Sequence, residues 1–126
     1  MIFKGKPVKV VLVGNAKEEF EALITTVGDE VIRGITHSDH QTLLNSVKQK
    51  IEFLKENPEY GIHIPKDRIP KEYLFRYEVN NLWKVNLSGA WRMLYTIKGS
   101  EIEILSVILD ILDHKKYEKK FGYRDR

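Results

Sequence analysis

Apolar and polar positions alternate most sharply over residues 82–97, LWKVNLSGAWRMLYTI. Trp83, Val85 and Leu87 alternate with Lys84 and Asn86, and Trp91, Met93, Tyr95 and Ile97 alternate with Arg92, Leu94 and Thr96. A period of two predicts a pair of half-buried strands. If their loop is the three residues Ser88, Gly89 and Ala90, Leu87 pairs with Trp91 and both apolar series share one face. A two-residue loop would set Trp83 and Val85 beside Arg92, so the patterning selects the longer one. The opposite face then carries Lys84, Asn86 and Arg92.

The remaining elements follow by the same reading. Residues 8–13, VKVVLV, form a short valine-rich run expected to be a central strand. Asn15 with Glu18 reads as a variant capping box. It would open a helix over 16–27 whose stripe is Phe20, Leu23, Ile24 and Val27, stopped by Gly28. Residues 28–37 give no clear signal. Ser38 with Gln41 forms a second capping box, and the helix it opens runs to Glu56 with Leu43, Leu44, Val47, Ile51 and Leu54 inward. Residues 73–79, YLFRYEV, read as a strand, as do residues 101–109, EIEILSVIL, where the pattern changes from alternating to apolar on both faces. The expected fold is a single α+β domain over residues 1–126, with two N-terminal helices packed on one face of a mostly antiparallel four- or five-stranded sheet.

Composition narrows the class. The chain of 126 residues is long enough to bury a core, and with no cysteine it can use neither disulfides nor a thiolate. Its longest apolar run, residues 104–112, is interrupted by Ser106 and Asp110 and is too short to span a membrane. No leader-like stretch precedes Val8, so a cytoplasmic protein without membrane partners is expected.

Charge is uneven. Residues 1–60 hold 8 Lys/Arg against 9 Asp/Glu, and residues 61–126 hold 13 against 9. The excess gathers in residues 114–126, HKKYEKKFGYRDR, where Lys115, Lys116 and other basic residues interleave with Tyr117, Phe121 and Tyr123. Phosphate binding with base stacking uses such a mixture, and so does a solvated helix end. Residues 57–71 read as an ordered loop pinned by Pro65 and Pro70, presenting Lys66, Arg68 and Lys71 as phosphate contacts or closing the core with its isoleucines. His37, Asp39 and His40 have the spacing of a helix start and no further ligand at a recognisable interval, and His63 stands alone, so no metal site or cofactor is expected.

Two blocks resemble the RelE/ParE toxin superfamily of prokaryotic toxin–antitoxin pairs. WKVNLSGAWRMLY, residues 83–95, is similar to the Trp, hairpin, Arg-hydrophobic-hydrophobic-Tyr block of its YoeB-like, messenger-RNA-cleaving branch. ILDHKKYEKKFG, residues 111–122, is similar to the closing strand followed by His, basic residues and Tyr. The resemblance implies a metal-independent endoribonuclease in which the RNA's own 2′-hydroxyl attacks the phosphate, on or off the ribosome, held inactive by a cognate antitoxin protein. It assigns Arg92 to phosphorane charge, His114 to proton transfer and Tyr117 to protonation or orientation, with Lys84 as a further cation. The acidic base of some YoeB-like members has no clear counterpart; Glu72 and Glu78 are the candidates. The superfamily also contains gyrase inhibitors and copies without activity, which implies a non-catalytic binding module as the alternative.

Overall fold

A computed structural model describes residues 2–122. Its order is β1 (Ile2–Phe3), β2 (Lys6–Leu12), α1 (Gly14–Ile32), α2 (Asp39–Glu56), β3 (Ile62–His63), α3 (Lys71–Arg76), β4 (Trp83–Asn86), β5 (Arg92–Gly99), β6 (Ile104–Leu112) and α4 (His114–Phe121). The fold is α+β, as the patterning predicts. The sheet has the order β1-β2-β6-β5-β4-β3, with β2 parallel to β6 and every other neighbouring pair antiparallel. The strand count exceeds the expected four or five because the two-residue strands β1 and β3 are added at the edges. Among the described residues no helix is long and apolar enough to cross a membrane.

The hairpin has the register that the patterning requires. Trp83 pairs with Tyr95, Val85 with Met93 and Asn86 with Arg92, and the Leu87 amide donates to the Trp91 carbonyl at 2.8 Å. Gly89 and Ala90 take positive φ in the loop, and the Ser88 amide donates to Ser46 Oγ at 3.1 Å, fastening the loop to α2. Val85, Leu87, Met93 and Tyr95 form one core with Leu23 of α1 and Leu43, Leu44, Val47 and Leu54 of α2. Both N-terminal helices therefore cover one face of the sheet.

Three boundaries differ from expectation. The first helix runs through Gly28, where a side chain would meet nothing within 4 Å, and ends instead at Gly34 (φ +79°). There the Ile35 amide donates to the Glu30 carbonyl at 2.9 Å and the Gly34 amide to the Val31 carbonyl at 3.0 Å, a Schellman pairing. An interior glycine costs a helix only about 1 kcal/mol relative to alanine, less than tertiary anchoring returns. That anchor is Glu30, buried, which accepts from Ser38 Oγ at 2.5 Å and from Gln41 Nε2 at 3.3 Å and meets His40 Nδ1 at 2.8 Å. At its other end α1 has Val13 at the N-cap with no side-chain cap; the Asn15 side chain donates through Nδ2 to the Ile111 carbonyl at 3.4 Å instead.

The second difference is α3, a helix where a strand was expected. Its apolar residues are too closely spaced to fix a period. Pro70 precedes the first turn, and Tyr73 and Tyr77, four residues apart, stack with centroids 6.1 Å apart. The third is β6, which begins at Ile104 because Ser100 closes a turn on Glu103, and which continues to Leu112.

The sheet face away from α1 and α2 is not simply polar. Ile64, Ile69, Tyr73, Val79, Leu82, Leu94, Leu109, Leu112 and Tyr117 form a second core there. Ile64 and Ile69 of the 57–71 loop and the helices α3 and α4 supply its outer layer, while Ile62 is exposed. Asp113 caps α4 by accepting from the Lys116 amide at 2.8 Å, and Gly122 (φ +69°) ends it. The basic tail is thus a docked helix as far as residue 122; Tyr123, Arg124 and Arg126 lie outside the described residues.

Candidate functional site

The register of β4 and β5 sends Lys84 and Arg92 to the face opposite α1 and α2, with Lys84 across from Leu94 and Arg92 across from Leu112 of β6. Both cations converge on one ring. Lys84 Nζ and the Arg92 guanidinium carbon each lie 5.4 Å from the Tyr117 centroid, a cation–π geometry. Arg92 Nη1 donates to the Trp91 carbonyl at 3.2 Å, and its Nε is buried without a hydrogen-bond partner. Among the described residues no carboxylate lies within ion-pair distance of Arg92. Glu103, the acid immediately before β6 in the chain, pairs with Lys9 at 3.7 Å.

Tyr117 itself is 2% exposed. Its ring is within cation–π distance of both cations and stacks at 4.5 Å on Phe121, an arrangement in which the ring can hold the cations in place. His114, at the start of α4, has a half-exposed side chain whose Nε2 sits 3.2 Å from Glu118 Oε2. It shares the helix of Tyr117 but turns toward Glu118.

Lys66, Arg68, Lys71, Lys115 and Lys116 are all exposed. Arg68 and Lys71 line a groove of about 400 Å³ with Lys120 and Phe121, so the proline-pinned loop and α4 present their charge on a shared surface. Glu72, a candidate base, is paired with Lys120 at 2.7 Å. Glu78 is exposed, with φ 51°. His40 is held by Glu30, and His63 packs at 4.8 Å on Trp83.

A second cleft, of about 620 Å³, opens between the start of α1, α3, β6 and α4. Asp110 lines it and accepts a hydrogen bond from the Tyr73 hydroxyl. Burial first, and the Asp110 charge second, push the Tyr73 pKa far up, so the hydroxyl stays a donor. The sequence carried one sign of this site, an acid inside the apolar run of residues 104–112. No family model, curated protein or solved structure matches the chain.

Proposed function

We propose that the chain is the toxin of a toxin–antitoxin pair, a cytoplasmic, metal-independent endoribonuclease acting on messenger RNA, with a cognate antitoxin as its partner. The observation that carries the reading is the convergence of Lys84 and Arg92, unpaired with any acid among the described residues, on the Tyr117 ring. A scissile phosphate on these cations gains most stabilisation when the attacking 2′-oxygen bonds to phosphorus and negative charge builds on the phosphorane. The bond from phosphorus to the 5′-oxygen then breaks, leaving a 2′,3′-cyclic phosphate and a protonated 5′-hydroxyl. Arg92 holds the equatorial oxygens, Lys84 adds charge, and His114 moves the proton, which requires it to leave Glu118. The exposed Lys66, Arg68, Lys71, Lys115 and Lys116 give the flanking strand its phosphate contacts.

The His114–Glu118 pair and the burial of Tyr117 favour a second reading, a non-catalytic binding module of the same architecture. Incubation of purified protein with single-stranded RNA separates them. The toxin reading expects cleavage that falls by about 10² to 10⁴ in His114→Ala, with loss of one limb of the pH–rate profile. Binding without cleavage supports the module.

A further inference from the structure

The 620 Å³ cleft is organised around Asp110, the one acid of β6. Leu94 pairs with Asp110 and Tyr95 with Ile108, so Leu109 is the extra residue of a β-bulge. A bulge re-aims side chains. Here Leu109 enters the second core and the next residue, Asp110, meets Tyr73 of that same core, while Ile108 and Ile111 belong to the core beneath α1 and α2.

Asp110 is 5% exposed. Among the described residues no cation pairs with it, and Tyr73 is the one side chain that hydrogen-bonds it, at Oδ2. A carboxyl group offers several acceptor positions and Tyr73 fills one of them, while the other oxygen of Asp110 is not a buried orphan and is left to the cleft that Asp110 lines. The open acceptor positions suit a ligand that donates hydrogen bonds. The rest of the cleft has the opposite character. Arg76, Lys116 and Lys119 line it and outnumber Glu18, while Glu72 and Lys120 neutralise each other. Tyr77 forms a fixed wall, its hydroxyl so near Gly14 that a Cβ there would approach it to 2.9 Å. The volume lies in the usual range for a small-ligand site.

We infer that this cleft binds one nucleotide unit, with the N–H edge of a guanine base on Asp110 and its phosphate on Arg76, Lys116 and Lys119. Guanine presents two adjacent donors, N1–H and the 2-amino group, which a single carboxylate accepts in parallel. The site would thus give the proposed RNA-binding face a base preference; it rests on that reading for its biological ligand, but not for its detection.

The test titrates the full chain at low salt with 5′-GMP, 5′-IMP, 5′-UMP and inorganic phosphate. GMP should bind at least about fivefold more tightly than IMP, which lacks the 2-amino donor, and more tightly than UMP or phosphate. Asp110→Asn should erase the GMP preference. The exposed Lys119→Ala, which leaves the core untouched, should weaken all four. Equal binding of phosphate and GMP makes the cleft an anion site only and overturns the proposal, as does absence of GMP binding or its displacement by a hexaglutamate peptide that binds better. Selective GMP binding without RNA cleavage would leave this site standing and remove the ribonuclease reading; cleavage without GMP binding would do the reverse.

Discussion

The Arg92 guanidinium carbon lies 5.4 Å from the centroid of the Tyr117 ring, which couples the hairpin to the helix that follows the last strand. The pair joins residues 25 positions apart in the chain and closes the second core beneath two cations. It also separates two roles that the sequence assigns to one residue: a ring can hold Arg92 in place without its hydroxyl touching a substrate.

Tyr117→Phe should accordingly keep cleavage within about tenfold of wild type, because the ring that carries the cation–π contacts remains. Tyr117→Ala should destabilise the fold by about 3–5 kcal/mol, the usual loss for a buried aromatic ring. Urea unfolding and cleavage rates read both. A Tyr117→Phe protein as inactive as Arg92→Ala would mean that the hydroxyl takes part in the chemistry.

Salt dependence measures how many phosphates the protein holds. Deleting residues 115–126 is unsuited to this because Tyr117 and Phe121 pack into the second core. Charge reversal at the exposed Lys115, Lys116 and Lys119 leaves that core in place. The slope of log affinity against log salt for single-stranded RNA should then become shallower by about 0.7 for each phosphate no longer held. An unchanged slope would make α4 a structural helix only.

Acid should loosen the clasp between α1 and α2. The Ser38 hydroxyl first, and His40 second, hold the Glu30 carboxyl below its ordinary value of 4.5. Since the folded pKa is the lower one, the stabilisation is present above the unfolded value and is lost as pH falls through the folded value. Urea midpoints of wild type and Glu30→Gln should therefore differ at neutral pH and converge under acid. A gap that persists undiminished below the carboxylate range would contradict the assignment.

The hairpin was legible in the sequence because a period of two with one face buried fixes both register and loop length. Ser38 was legible as a cap because its partner, the Gln41 amide, is local. Gly28 misled because the residues that keep α1 helical beyond it, Ser38, His40 and Gln41, reach back to Glu30 from the next helix. Lys84 and Arg92 could be put on one face from alternation alone. The ring between them, the turn of His114 toward Glu118 and the bulge that aims Asp110 into a cleft all depend on packing between distant segments, which no local period encodes.

The most direct measurement is primer extension on cellular transcripts after induction of wild type and of Arg92→Ala. The ribonuclease account predicts new transcript ends with wild type and about 10²-fold fewer, or none, with Arg92→Ala, since that charge acts on the phosphorane. Ends of equal abundance in both strains, or none with wild type, would contradict it.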